Sequence, residues 1–597
     1  MSAAAALGTA GRVGRAARDR LLGVLPNRHI LATMGRSPRK DLIAGLTVAV
    51  VALPLALGFG ISSGAGARAG LVTAVVAGAL AAVFGGSNLQ VSGPTGAMTV
   101  VLVPIVHQYG SQGLLTVGLL AGAVLVLLAL LRAGRFMAYV PVPVVEGFTV
   151  GIATVIALQQ VPGALGIKAS SGNNPVVVAF RTAGGFAAHP HAAPLAITIA
   201  VVAVMLVGAR RRPSVPFSLV AVALATVVAQ VAHLKVATIG HLPGGIPAPS
   251  LSFLSSSAIP SLLPSALAVA ALAALESLMS ATAADAMSVS ERHDSNRELF
   301  GQGLANLAAP LFGGVAATGA IARTAVNVRS GATSRLAALV HAAVLAAIIF
   351  AAAPLVAGIP LAALAGVLIA TAVRMVEVGS LRALVRSGRG EALVMGLTAA
   401  ATLAFNLVTA VIAGLLLSGV LALRTVAGSA RVEQVPLHSD LPAGDHHEEE
   451  QVLLAEHIVA YRLDGALLFA AAHRFLLLLS ETAEVKVVIL RMSRVSAMDA
   501  SGARVLGDVI DKLTRRGTLV LVSGVREEHQ DRLDVLGVLD RLHTEGRVFA
   551  STPDAIAFAH THLRDLGLVP ARAVDGTDTD TETDTDTDTA QPVGAGR

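Results

Sequence analysis

The sequence contains no cysteine and no tryptophan, only three tyrosines, and only 14% Asp, Glu, Lys and Arg in 597 residues. Without cysteine there are no disulfides, no thiolate metal ligands and no cysteine nucleophile. The aromatic girdle that usually marks the two faces of a membrane is missing as well. The shortage of charge excludes most. Soluble domains carry roughly a quarter charged residues, yet here Arg68 is the only one between Leu42 and Leu131. No water-soluble core contains such a stretch, and a bilayer is the solvent that fits a mean hydropathy of +0.72.

The formal net charge of +6 does not point to nucleic acid, because the Lys and Arg flank apolar segments, as membrane anchoring requires. The lipid bilayer is the expected partner and nucleic acid is not. The first 40 residues carry Arg12, Arg15, Arg18, Arg20, Arg28, Arg36, Arg39 and Lys40 against Asp19 alone. A transit peptide has a similar look, but the apolar run at 21–25 is too short for a secretory signal. The segment reads as a basic cytoplasmic arm, residues 1–40.

Apolar runs of spanning length lie at roughly 42–61, 69–85, 94–107, 112–131, 143–162, 192–209, 215–233, 264–287, 298–312, 318–329, 336–357, 360–376, 391–406 and 408–424, fourteen in all. With the N-terminus inside, the inner loops collect Arg132, Arg135, Arg210, Arg211, Arg212, Arg292, Arg297, Arg329, Arg335, Arg374, Arg382, Arg386, Arg389 and Arg424. The outer loops hold Arg68, Lys168, Arg181 and Lys235. This bias sets both termini in the cytoplasm and the chain in the cell (inner) membrane.

Two places repeat. Phe84-Gly85-Gly86 precedes Thr95-Gly96-Ala97, and about 225 residues later Phe312-Gly313-Gly314 precedes Thr318-Gly319-Ala320. They occupy matching positions in two seven-span halves, and seven being odd, the halves enter the membrane from opposite sides. Such inverted repeats build central sites from broken helices. The runs Ser92-Gly93-Pro94-Thr95-Gly96 and Ala317-Thr318-Gly319-Ala320 read as irregular backbone leading into half-helices, with Pro94 in a first helical turn. Two opposed helix N-termini would offer an anion about one positive charge and free N–H donors, with hydroxyls from Thr95 and Thr318. The other reading is a pair of small-residue packing motifs.

Ionisable groups at bilayer depth cost about 2.5–3.5 kcal/mol on insertion scales and are functional candidates. Glu276 sits mid-span, with Ser280 one turn further on the same face. The pair suits Na⁺, or the acid alone suits a proton; a structural ion pair is the alternative. Arg323, five residues into the second half-helix, raises the positive potential at the proposed site. Asp285 and Glu146 lie nearer span ends, where snorkelling or pairing is expected. Gln159, Gln160 and Asn406 suit helix–helix hydrogen bonds, and His107 a boundary position.

After Arg424 the chain changes character. Residues 428–450 form a polar linker ending His446-His447-Glu448-Glu449-Glu450. Strand patterns at 457–462, 486–491, 518–523 and 547–550 alternate with helical ones at 471–481, 501–514, 527–536 and 553–562, a small α/β domain over 451–566. Asp499 caps a helix on which Ser501 is exposed, a place where a phosphate would be stabilised. The tail, 567–597, holds an Asp/Thr alternation without apolar residues and is expected to be disordered.

Residues 41–563 resemble the sulfate permease (SulP) family of anion transporters. The resemblance rests on Asp41-Leu42-Ile43-Ala44-Gly45-Leu46-Thr47, Val91-Ser92-Gly93-Pro94-Thr95-Gly96, Gly147-Phe148-Thr149-Val150-Gly151-Ile152-Ala153, Leu275-Glu276-Ser277-Leu278 and Ser295-Asn296-Arg297-Glu298-Leu299 with Gly301-Gln302-Gly303. The Asp499-Ala500-Ser501-Gly502 turn resembles the phosphorylatable loop of STAS domains. The resemblance implies a transport domain of core and gate bundles (41–427) followed by a cytoplasmic STAS domain, elevator-like alternating access, a homodimer and a regulatory partner at the STAS domain. It adds Leu55 and Phe59 as pocket residues to Pro94, Thr95, Gly96, Thr318, Gly319, Ala320 and Arg323. Pro54-Leu55-Ala56-Leu57 and Ser92-Gly93-Pro94-Thr95-Gly96 look like the bacterial bicarbonate and dicarboxylate branch, in which an acid at the Glu276 position handles the coupling ion.

The expectation is therefore a polytopic α-helical membrane protein with fourteen spans in a seven-plus-seven inverted repeat, two half-helices and a STAS domain. It would be no enzyme and have no cofactor. Its function would be secondary active transport of a small anion, bicarbonate or dicarboxylate before sulfate, coupled to Na⁺ or H⁺ through Glu276 and Ser280. The alternatives are an uncoupled anion channel, a membrane-tethered signalling scaffold using Ser501, or a nucleobase transporter of the same fold.

Overall fold

The computed structural model describes residues 34, 37–435 and 457–568, less 136–139, 169–171, 173, 189, 213–214, 243, 289–291, 406, 430 and 468–484. Most of the basic arm, the His/Glu run at 446–450, the helix expected at 471–481, Asn406 and the Asp/Thr tail lie outside the described residues. The chain divides into two compact units, Met1–Gly419 and Val420–Arg597.

The first unit is helical. Its elements are α1 (Pro38–Ser62), α2 (Ala67–Phe84), β1 (Ser92–Gly93), α3 (Gly96–Leu130), α4 (Val142–Gln159), α5 (Val161–Leu165), α6 (Pro175–Ala188), α7 (Ala192–Arg211), α8 (Phe217–Val231) and α9 (Ile259–Met287). There follow α10 (Ser295–Ala308), β2 (Thr318–Gly319), α11 (Ile321–Arg329), α12 (Leu336–Ala351), α13 (Ala353–Ala357), α14 (Leu361–Met375), α15 (Val378–Ser387), α16 (Arg389–Ala404) and α17 (Leu407–Ser429). Among the described residues, seven helical stretches are long and apolar enough to cross a membrane.

Every apolar run singled out in the sequence falls on helix, with three differences. The runs at 94–107 and 112–131 join as α3, broken only at Gly110, whose φ of 68° no β-branched residue accepts. Between the runs ending at 162 and starting at 192, α6 forms from an apolar stretch of 14 residues, too short to have been read as a span. The run at 318–329 is helical only from Ile321, because Thr318 and Gly319 are extended.

Polar side chains tie distant parts of the unit together. The buried Asp41 carboxylate accepts the backbone N–H of Thr333 at 2.6 Å and of Ser334 at 3.1 Å, fixing the start of α1 to the turn before α12. Buried Glu298 on α10 accepts the N–H groups of Gly86 and Ser87 at 2.8 and 3.2 Å. Arg335 donates to Asn88 Oδ1 at 2.8 Å and to the Gly85 carbonyl. In each case a charged group, expensive to bury alone, satisfies backbone atoms at a helix end.

The second unit is a five-stranded sheet of order β3 (Arg431–Val435), β4 (Ile458–Leu467), β5 (Val487–Met498), β6 (Leu519–Ser523) and β7 (Val548–Phe549). β3 runs antiparallel to β4 and the other pairs are parallel. Helices α18 (Ala500–Arg515), α19 (Glu527–Val535), α20 (Asp540–Thr544) and α21 (Thr552–Asp565) complete it. Residues 431–435, within the stretch 428–450 expected as a linker, form an edge strand paired with β4. Five residues with two charges, Arg431 and Glu433, carry no clear strand pattern.

Candidate functional site

The two repeated motifs meet. β1 and β2 pair antiparallel, Ser92 opposite Gly319 and Gly93 opposite Thr318. Neither motif continues as helix through this point, so α3 and α11 begin on either side of a two-residue ladder. Amides at a helix start have no intrahelical partner, which leaves Gly96 and Ala97 at one tip and Ile321 and Ala322 at the other as donors. Thr95 at the α3 tip and Ala320 at the α11 tip are buried, whereas the Ile321 side chain is 41% exposed.

The ladder is braced from behind. Asn306 Nδ2 donates to the Ala317 carbonyl and its Oδ1 accepts the Ala317 N–H, both at 2.8 Å. Gln302 Nε2 donates to Ser92 Oγ at 2.6 Å, and the Ala320 N–H donates to the Val91 carbonyl at 2.9 Å. Irregular backbone at such depth survives only when its polar groups are met inside the protein, and these contacts meet them. Sequence reasoning missed Gln302 and Asn306. The signal was present, since two amides spaced i, i+4 on one helix share a face.

Pro94 lies one residue before the cap, outside the helix, rather than in its first turn. Thr95 is the N-cap of α3, and its Oγ1 accepts the Met98 N–H at 3.4 Å. The same hydroxyl donates to Glu276 Oε2 at 2.8 Å. On the other strand Thr318 does not cap α11; Ala320 holds that position. The Thr318 hydroxyl donates to the Ala273 carbonyl at 3.1 Å and shares a hydrogen with Ser277 Oγ at 2.8 Å. Ser277 Oγ also accepts the Gly319 N–H at 3.2 Å. One turn of α9, from Ala273 to Ser277, thus addresses both motifs.

Ser280 is placed differently from the expectation that it joins Glu276. Its hydroxyl pairs with Thr324 Oγ1 at 3.0 Å, and Thr324 Oγ1 accepts the Val91 N–H at 3.1 Å. Arg323 is buried and donates through NH2 to the Pro94 carbonyl at 2.7 Å, crossing from the second motif to the first. Its NH1 has no hydrogen-bond partner among the described residues. Room for that guanidinium exists because position 93 is glycine: a Cβ there would lie 2.7 Å from NH1, on backbone with φ near +151°. Leu55 and Phe59 are buried on α1, and Phe59 Cε1 would lie 3.1 Å from a Cβ at Gly96.

Asp285 Oδ2 pairs with His293 at 2.7 Å, Glu146 accepts from Ser380 at 2.7 Å, and Gln160 exchanges hydrogen bonds with Ser62. Gln159 Oε1 has no partner among the described residues, and His107 is exposed. In the second unit Asp499 Oδ1 accepts the Gly502 N–H at 2.6 Å, capping α18 and leaving Ser501 exposed in its first turn.

The sequence profile of the sulfate permease family matches residues 39–398. The chain belongs to the sulfate permease family. A STAS domain profile matches residues 451–555, so the second unit carries that domain. YvdB of Bacillus subtilis, provisionally named a sulfate transporter, is 37% identical over 515 residues, 84% of this chain and 94% of the relative. The bicarbonate transporter BicA of Picosynechococcus is 30% identical over 555 residues, 89% of this chain and 97% of the relative. The solved transmembrane domain of a cyanobacterial BicA is 32% identical and superposes with a TM-score of 0.57, covering 64% of this chain and 98% of that one. Murine Solute Carrier 26 family member A9 shares the fold at a TM-score of 0.78 and 17% identity, over 91% of this chain and 94% of that one. Members of this family are membrane transporters of anions and not enzymes.

Proposed function

We propose that the chain is a secondary active importer of a small anion, bicarbonate or a dicarboxylate before sulfate, held between the tips of α3 and α11. The observation that carries this reading is the β1–β2 ladder, which brings two helix N-termini together beside a buried guanidinium. Oriented amides attract an anion, and Arg323 adds a full positive charge in a low-dielectric setting where charge acts strongly. A neutral nucleobase has no need of that charge. Similarity to YvdB and BicA favours sulfate or bicarbonate.

In this reading Glu276 handles the coupling ion. Its carboxylate touches the cap of α3 through Thr95, so a proton or Na⁺ arriving there changes the charge beside the anion. An uncompensated carboxylate next to a bound anion repels it, and a cation on Glu276 removes that repulsion. Anion and cation then load together, the requirement for symport. Ser280 serves by holding Thr324 and the ladder. Leu55 and Phe59 supply apolar walls. Fourteen crossings as a seven-plus-seven repeat, cytoplasmic termini in the inner membrane, elevator-like movement, a homodimer and control through Ser501 of the STAS domain complete the proposal.

Purified protein in proteoliposomes tests it. Accumulation of radiolabelled bicarbonate, fumarate, succinate or sulfate above its equilibrium level under an inward Na⁺ or proton gradient is the expected result. Flux only down the anion's own gradient would make the chain a channel, and no flux would leave a scaffold.

A further inference from the structure

The short helix α15 turns aside from the two helices that it joins. Val376 and Glu377 before it and Gly388 after it are extended, so neither α14 nor α16 runs on into it. Its ten residues rise about 15 Å, half of a hydrocarbon layer of about 30 Å, so α15 does not cross a bilayer. A Cβ on Gly147, near the start of α4, would lie 2.3 Å from the Met395 carbonyl oxygen, near the start of α16. One on Gly151 would lie 2.6 Å from Thr402 Cβ, further along both helices. α4 and α16 therefore run side by side from one level. α15 lies at that level, where Ser380 Oγ donates to Glu146 Oε1 of α4 at 2.7 Å.

No residue of α15 is fully buried. Ser380, Leu381 and Leu384 are partly covered, whereas Val378 and Val385, seven apart and so on one face, are each more than half exposed. Val142, Val373 and Leu393, at the adjoining ends of α4, α14 and α16, are exposed to the same degree. Arg382 lies one turn from both Val378 and Arg386. Both arginines are exposed, and neither is hydrogen-bonded or ion-paired among the described residues. Arg374 and Arg389 are exposed at either end of the helix. Three acids stand nearby: Glu146 and Glu391 accept from Ser380 and Ser387, and Glu377 is exposed just before the helix. α15 itself carries no acid.

We propose that α15 lies in the plane of the membrane surface and that its outward face binds anionic phospholipid. Val378 and Val385 enter the acyl boundary, and Arg382 and Arg386 hold headgroup phosphates. A helix with cations beside an apolar stripe takes this position, and a guanidinium meets a phosphate through two N–H groups at once. Lipid is the occupant that satisfies the whole surface. Water leaves five apolar side chains exposed at one level, and a free phosphate serves the arginines but not the valines. The same molecule that pairs with Arg382 and Arg386 brings the hydrocarbon that covers Val142, Val373 and Leu393.

The chain has no tryptophan, so Val385→Trp supplies a single emitter on this face, and Val378→Trp a second in case the first disturbs folding. The full chain is reconstituted in vesicles of phosphatidylcholine and phosphatidylglycerol, with one lipid or the other brominated on its acyl chains. Blue-shifted emission quenched by the brominated lipids is expected. The relative binding constant is expected to favour phosphatidylglycerol by about fivefold, the preference that one arginine near an anionic surface supports. Adding Arg382→Gln and Arg386→Gln is expected to bring that ratio to about one while quenching persists. Unquenched emission from both reporters, whether α15 faces water, a second copy or another part of the chain, overturns the proposal. Equal binding of the two lipids, or a preference that survives loss of both arginines, overturns their role in holding the headgroup.

Discussion

Thr95 donates its hydroxyl hydrogen to Glu276 Oε2 across 2.8 Å while accepting the Met98 N–H that caps α3. One side chain thus joins the start of α3 to the acid proposed to handle the coupling ion. The cap and the acid share a single hydroxyl, which joins Glu276 to the Met98 amide that Thr95 caps.

Glu276→Gln is the first consequence. The amide carbonyl still accepts from Thr95, so the fold and the cap persist, but no proton or Na⁺ is bound with a charge. Gradient-driven uptake is expected to fall to the level of empty vesicles with the thermal unfolding midpoint little changed. Uptake that still responds to the gradient removes Glu276 from the coupling role.

Thr318→Val acts through the ladder. Its hydroxyl is committed to the Ala273 carbonyl and to Ser277, both buried. Leaving buried polar atoms unpaired costs about 1–3 kcal/mol, and the α11 tip loosens with them. A lowered unfolding midpoint together with a raised half-saturation concentration is expected, and Thr318→Ser is expected to restore both. An unaltered half-saturation concentration in the valine variant separates Thr318 from the site.

Gly319→Ala tests the close approach at the ladder. A methyl group there would lie 1.7 Å from Gln90 Nε2 and 3.1 Å from Ser277 Cα. Gln90 is buried, so its amide cannot swing aside freely. Overpacking of this kind costs about 1–3 kcal/mol. Lower stability and loss of uptake are expected, and normal uptake in this variant would mean that the ladder is dispensable.

Asp499→Ala concerns the STAS domain alone. Loss of the cap on α18 is expected to cost about 1 kcal/mol, read as faster amide exchange over 500–515. Ser501→Asp, adding negative charge at the same helix start, is expected to stabilise α18 by about 0.3–1 kcal/mol. Slower exchange confirms the exposed first-turn position; faster exchange contradicts it.

Much of this was legible in the sequence because membrane insertion imposes hard constraints. Lipid admits helices and little else, so apolar runs locate helices to within a few residues. Broken helices announce themselves as Gly, Pro and Thr inside such runs, as at Thr95 and Thr318. Glu276 and Arg323 stood out because charge at that depth is costly. The pairing of Ser92 with Gly319 was not readable, since two residues carry no strand pattern. The separate duties of Ser277 and Ser280 also escaped notice: both lie on α9 within one turn of Glu276, and only the position of Thr318 and Thr324 tells them apart.

The proposed function places one anion between the tips of α3 and α11. The most direct test is a density map of the full chain saturated with bicarbonate, with bromide as a denser monovalent substitute. One peak is expected within hydrogen-bond distance of the Gly96–Ala97 and Ile321–Ala322 amides, weakened in Arg323→Met. A peak elsewhere, with those amides facing only protein, would contradict it.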